Sequence, residues 1–150
     1  MKVALGADHA GYHLKEIIKS HLVERGYDVH DFGTDSDRAV DYPDVIYPAS
    51  RSVATGECHL GIVFGGSGNG EAIVANKVSG IRCAVCWSRY SARLAKEHNN
   101  ANMISIGARM IQESEGVAIV DAWIDAMFEG GRHERRIQKI EEVMKMNINT

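Results

Sequence analysis

One stretch constrains this chain more than any other: Ile62-Val63-Phe64-Gly65-Gly66-Ser67-Gly68-Asn69-Gly70-Glu71-Ala72-Ile73-Val74-Ala75-Asn76-Lys77. Its first residues are β-branched and aromatic, the composition of a buried strand. Four glycines follow within residues 65–70, interrupted by Ser67 and Asn69. Glu71 then opens a run of small residues compatible with a helix. Strand, glycine loop and helix in that order confine the chain to an α/β architecture. They also suit an anion site. Glycine lets the backbone approach a ligand closely, and a helix N-terminus offers unpaired amides at a positive dipole end.

Two nucleotide motifs are excluded. The dinucleotide fingerprint G-x-G-x-x-G requires glycine where Glu71 stands, and a carboxylate there would face a pyrophosphate. Gly6 and Gly11 echo the P-loop, but Tyr12 and His13 replace its lysine and hydroxyl residue. What remains is a donor-rich loop rimmed by the Ser67 hydroxyl and the Glu71 carboxylate. That set suits chemistry on an oxygen that becomes negative. The plainer reading is a tight βα turn that uses glycine for packing. The serine and glutamate favour a site.

The remaining chain supports five strands alternating with helices, hence a parallel sheet covered on both faces. Strands are expected over 2–7, 27–32, 60–64, 82–86 and 103–106. Helices follow the first strand, with Leu14, Ile17, Ile18 and Leu22 at helical spacing, and start at Pro43, Glu71 and Ser88. Val117, Val120, Ile124 and Met127 mark a long helix that Gly130-Gly131 breaks. A last helix starts at Arg132. Its spacing leaves two readings open, a solvated charged face or a helix that crosses to a partner subunit. At 150 residues the chain is expected to form a single domain, 1–150. A net charge of −3 gives no case for nucleic-acid binding, and no apolar run reaches the ~20 residues of a membrane span. Three cysteines fit a reducing cytoplasm better than a disulfide framework. Cys83 and Cys86 are expected to point to opposite faces of a strand, as buried small hydrophobes.

Ligands of such sheets bind beyond the strand C-termini. Asp8, His9, the 65–71 loop, Trp87, Ser88 and Arg109 stand there, with His98 and Asn99 beyond a helix. His13, His21, His30 and His59 read as structural or exposed.

Gly6-Ala7-Asp8-His9-Ala10-Gly11, Asp41-Tyr42-Pro43, the 65–71 loop, Ala75-Asn76-Lys77, Glu97-His98-Asn99, Gly107-Ala108-Arg109 and Gly130-Gly131-Arg132-His133 together resemble the ribose-5-phosphate isomerase B family. The resemblance spans nearly the whole chain. It implies a three-layer α/β/α sandwich on a five-stranded parallel, Rossmann-like sheet. It also implies a homodimer, sometimes a tetramer, with active sites shared between subunits and a C-terminal helix reaching to the partner. The implied reaction is aldose–ketose isomerisation of a phosphorylated sugar in the cytoplasm, without metal or other cofactor. Many members use a cysteine at the mouth of the glycine loop as base. Here that position is Gly65, and the chain is similar to the branch in which a glutamate takes over, so the role falls to Glu71.

The same resemblance assigns the other roles. His98 opens the sugar ring with Asp8 nearby, and Ser67 relays a proton between oxygens. The amides of Gly66, Gly68, Asn69 and Gly70 stabilise the enediolate. His9 and Arg109 from one subunit, with Arg132 and Arg136 from the other, hold the phosphate. Tyr42 and Asn99 contact substrate hydroxyls, and His133 is a weaker phosphate candidate. The pentose phosphate pair is the leading substrate. Allose 6-phosphate, galactose 6-phosphate and a tetrose 4-phosphate are alternatives, as is a non-catalytic anion-binding module.

Overall fold

The computed structural model describes residues 1–148. Strands β1 (Lys2–Ala7), β2 (Asp28–Asp31), β3 (Leu60–Gly65), β4 (Cys83–Val85) and β5 (Met103–Gly107) form one parallel sheet in the order β2-β1-β3-β5-β4. Between and after them run α1 (Tyr12–Glu24), α2 (Tyr42–Ala54), α3 (Asn69–Asn76), α4 (Arg89–Asn99), α5 (Glu113–Asp125) and α6 (Arg132–Ile148).

The three layers follow from the period of two in the strands. Val3, Leu5, Ala7, Ile62 and Phe64 face a core shared with Leu14, Ile18 and Leu22 of α1, Ala92 of α4, and Ile119 and Trp123 of α5. Ala4, Val63 and Met103 face the opposite core, with Ile46 and Ala49 of α2 and Ala75 of α3. Cys86 joins the first core and Cys83 packs against the second, the opposed placement expected of that pair. All three thiols are free, and burial pushes Cys86 up to about 12. No helix among the described residues is long and apolar enough to cross a membrane.

Several expected boundaries move. α4 is capped by Ser88, whose hydroxyl accepts from Ser91 N–H at 3.0 Å, and it runs on to Asn99, so His98 and Asn99 form its last turn. α5 stops at Asp125; Met127 lies outside it, 81% exposed. α6 does make contacts with its own chain: Glu141 pairs with Arg82 at 2.9 Å, and Met144 lines a cleft beside β4. Ile140, Val143 and Met146 of the same helix stay exposed. β4 is an edge strand, and Asn76 closes part of that edge. Its amide donates to Cys83 O at 2.9 Å and accepts from Cys83 N–H at 2.8 Å.

One buried group has no counterpart in the sequence reading. Lys15, on the inner face of α1, is fully buried; its ammonium donates to Asp31 at 2.6 Å and to Glu16 at 2.9 Å. Burial pushes the Asp31 carboxyl up, but hydrogen bonds from Lys15, the Gly33 amide and Lys19 outweigh it and hold Asp31 below the usual range. A carboxylate with a lowered folded pKa stabilises above its unfolded pKa, and that contribution fades as pH falls through the folded value. Asp31→Asn should therefore cost about 3 kcal/mol at neutral pH, since a buried ammonium loses its main partner. Lys15→Met, which removes the charge and keeps the volume, should cost less. Urea unfolding at pH 7 and at pH 3 checks both the order and the narrowing of the Asp31 gap in acid.

Candidate active site

The connection reverses direction between β1 and β3: the chain leaves β1 toward β2 and returns on the other side of β1 as β3. Loops after two such strands part and leave a crevice, the usual place for a ligand. Asp8 follows β1 and the glycine loop follows β3, so both feed this crevice.

Asp8 is buried, and its Oδ1 accepts from the N–H groups of Ala10 at 2.9 Å and Gly11 at 3.0 Å. Those amides are thereby taken up, a second reason the Gly6 to Gly11 segment is no phosphate loop. Glu71 is 3% exposed, in the first turn of α3. Its carboxylate occupies the space that a Cβ on Gly65 would need; all of its terminal atoms would overlap that carbon. A side chain at position 65 would thus push the Glu71 carboxylate out of this place, whatever the backbone angles of residue 65. Gly68 is required by conformation: it caps α3 at φ +83°, a left-handed geometry costly for any other residue. Ser105 hydroxyl donates to Gly68 O at 2.7 Å and fixes the turn.

Electrostatics at Glu71 are set by burial first. Desolvation pushes its carboxyl above the usual range; its own backbone amide opposes this, and the Asp8 charge and hydrogen bond push it up further. A carboxylate raised in this way is a stronger base than a free one.

The loop rim is furnished from neighbouring elements. Ser67 is exposed and its hydroxyl accepts from Asn69 N–H at 3.2 Å. The Arg109 side chain crosses Gly66, where a Cβ would stand 3.3 Å from one guanidinium nitrogen, and its backbone N–H donates to Gly66 O at 3.1 Å. Tyr42, at the start of α2, lays its ring against Gly70. His9 Nδ1 accepts from Val40 N–H at 3.3 Å, which leaves Nε2 as the N–H donor of the neutral ring. Asp8, His9, Tyr42, Ser67, Gly66, Gly68, Asn69, Gly70, Glu71 and Arg109 therefore share one end of the sheet.

His98, Asn99, Arg132 and Arg136 do not. α4 starts beyond the C-terminal end of β4 and descends to the N-terminal end of β5. Its 11 residues span roughly 16 Å, so its last turn lies at the far end of the sheet from Glu71. α6 begins beside it: the His98 and His133 rings stack with centroids 4.3 Å apart, and Glu129 N–H donates to Glu97 O at 3.0 Å. Arg132 and Arg136 are exposed on that first part of α6. Helix polarity separates the two groups, because a residue at the end of the helix after a strand lies at the opposite end of the sheet from that strand's C-terminus.

His133 is buried, its Nε2 without a hydrogen-bond partner, and Glu129 lies 3.6 Å away. Burial, then His98 and Arg132, lower its pKa, with Glu129 opposing. Donor atoms of His98, Glu129 and His133 all lie within 4.8 Å of one another. The ring planes are only 14° apart, so their in-plane lone pairs run side by side and do not converge as a tetrahedral metal demands. His133 is thus a ring that packs under His98. The remaining histidines are structural or exposed: His13 is exposed on α1, His21 contacts Asp121 at 2.7 Å, His30 lies 3.7 Å from Asp28, and His59 Nδ1 accepts from Lys2 N–H at 3.0 Å.

A model of the ribose/galactose isomerase family matches residues 3–140. The chain belongs to that family. It is 45% identical over 139 residues to ribose-5-phosphate isomerase B of Escherichia coli, covering 93% of both chains. Among solved structures, ribose-5-phosphate isomerase B of Clostridium thermocellum superposes with a TM-score of 0.97 at 48% identity, over 98% of this chain and 99% of that one. The Mycoplasma genitalium enzyme, solved with bound ribulose-5-phosphate, gives 0.93 at 39% identity over 96% of each chain. The family's fold is thus the fold described above.

The Asp8–Glu71 pair yields a titration test. Asp8→Asn removes a like charge and supplies an amide donor, so the Glu71 pKa should fall. Carboxyl carbon NMR across pH 3–9 reads this directly; an unmoved Glu71 would mean that the two groups do not share a field.

Proposed function

We propose that the protein interconverts ribose 5-phosphate and ribulose 5-phosphate at a site completed by a second copy of the chain. The observation that carries this reading is the buried Glu71 carboxylate, seated where Gly65 lacks a side chain, beside a loop of backbone donors. The relatives named ribose-5-phosphate isomerase B, and the one holding ribulose-5-phosphate, supply the substrate class.

Isomerisation starts from the open-chain aldose. Glu71 takes the proton from C2 as the C1 carbonyl oxygen gains negative charge. Amides of the 66–70 loop face that charge and stabilise the enediolate. Ser67 carries the hydroxyl proton from O2 to O1. Glu71 returns its proton to C1, and the ketose results with no net change in protons. His98 of the partner copy serves ring opening, since an imidazole both gives and takes a proton near neutrality. His9 and Arg109, with the partner copy's Arg132 and Arg136, suit a phosphate dianion, for which guanidinium forks are matched donors. The separation of the two groups at opposite ends of one sheet supports two-copy assembly, because a single chain cannot bring His98 to Glu71 without dismantling α4. No step in this sequence calls on a redox cofactor.

A coupled assay over ribose 5-phosphate, allose 6-phosphate, galactose 6-phosphate and erythrose 4-phosphate tests the substrate. Ribose 5-phosphate should have the highest kcat/KM. A preference for any other sugar would overturn the assignment while leaving the chemistry standing; saturable turnover of none would return the anion-binding module.

Glu71→Gln should bind sugar phosphate almost normally and lose on the order of 10²–10⁴ in kcat. Solvent deuterium incorporation at substrate C2 should vanish with it. The same variant should melt higher than the parent at pH 7. A carboxyl whose folded pKa is raised contributes stability below its unfolded pKa and loses it as pH rises toward and through the folded value, so at neutrality the parent has lost stability that the amide keeps. At pH 4 the difference in Tm should shrink. A variant that kept its turnover would remove Glu71 from the base role.

A further inference from the structure

Arg82 immediately precedes β4, and no motif of the sequence includes it. Its guanidinium is committed on all three nitrogens. Nε donates to Asn99 O at 3.0 Å, Nη2 to Asn100 O at 3.0 Å, and Nη1 to Glu141 Oε1 at 2.9 Å. Its backbone N–H donates to Asn102 Oδ1 at 2.8 Å, which sets the stem. The two carbonyls lie at the C-terminal end of α4, where helix acceptors have no partner within the helix and a cation is favoured. Asn100 is left-handed there, at φ 43°, so the chain turns sharply just past Asn99. Glu141 stands on α6, beyond Arg132 and Arg136 on the same helix. One planar fork therefore grips both elements that carry His98, Asn99, Arg132 and Arg136.

We propose that Arg82 is a positioning residue for this half of the site: it fixes the end of α4 against α6, and so serves the reaction at the neighbouring copy's Glu71. This rests on the two-copy site above. The geometry demands arginine. Three donors at fixed angles meet two backbone carbonyls and a carboxylate, whereas a lysine ammonium is a point charge on a flexible stem. The fork is also sheltered, its side chain 20% exposed, so water competes poorly for those partners. A contrary route exists through β4: the backbone of Cys83, the next residue, pairs with Asn76 of α3, the helix that carries Glu71, so Arg82 has a path to its own chain's base. Pairing of variants separates the two.

Arg82→Met should lose on the order of 10- to 100-fold in kcat/KM, the scale of a misplaced site with intact chemistry. Mixed assemblies with Glu71→Gln, isolated with two affinity tags, should regain activity, because one of every two sites then joins an intact Glu71 half to an intact His98 half. Mixed assemblies of Arg82→Met with His98→Asn should regain none, because both changes damage the same half. Glu71→Gln mixed with His98→Asn is the control and should regain activity. If the control regains nothing in proven mixed assemblies, the two-copy site falls and this proposal with it. If the control regains activity but the two Arg82 pairings are reversed, equal or both silent, only the Arg82 proposal falls; full activity of Arg82→Met alone overturns it too. Arg82→Lys and Glu141→Gln, each losing part of the fork, should show the same pairing with smaller losses, and they keep the test decisive if Arg82→Met does not fold.

Discussion

Two carboxyl groups brought together at the reversal between β1 and β3 set the terms for this molecule. Asp8 is held by the amides that follow it, so it cannot move away. Glu71 is driven into the space beside it by the start of α3 and by a missing side chain at Gly65. Burial and like charge both oppose ionisation there, and the Glu71 backbone amide partly offsets them. The balance leaves a carboxylate that is costly to fold and, for the same reason, a stronger base. A side chain at position 65 and the carboxylate of residue 71 compete for one volume. In this chain they are alternatives by sterics alone.

The polarity of a parallel sheet then determines what one copy can and cannot do. Every helix that follows a strand descends to the opposite end, so residues at helix ends lie far from residues at strand ends. Asp8, Ser67 and Glu71 occupy one end; His98, Asn99, Arg132 and Arg136 occupy the other. A reaction that needs both groups needs two chains. The exposed Ile140, Val143 and Met146 on α6 accord with such an arrangement, since that much apolar surface on one helix is seldom left to solvent.

Much of this was legible in the residues. The unbroken apolar run Val3-Ala4-Leu5 specified a strand buried on both faces, and both cores use it as expected. Leu14, Ile18 and Leu22 marked the inner face of α1. The glycine loop announced itself by composition. Other features had no local signal. Lys15 lies on the buried side of α1 because Asp31 waits there, a pairing made only once β2 docks. The insertion of β5 between β3 and β4 is a long-range choice that no window of residues encodes. The grip of Arg82 on α4 and α6 likewise needs the finished fold. Met127 shows the converse error: its spacing fits a helix, but the helix has already ended, and an apolar residue out of register carries no information about burial.

Asn76 has a wider consequence than its two hydrogen bonds suggest. β4 is one of the sheet's two margins, β2 being the other, and an open margin invites any extended segment to add itself as another strand. By satisfying both backbone groups of Cys83, the Asn76 amide acts as a single residue of a sixth strand that goes no further. Growth of the sheet past β4 is hindered at its first rung. A copy that approaches this side must therefore meet helices and side chains, not a strand that offers its backbone at Cys83.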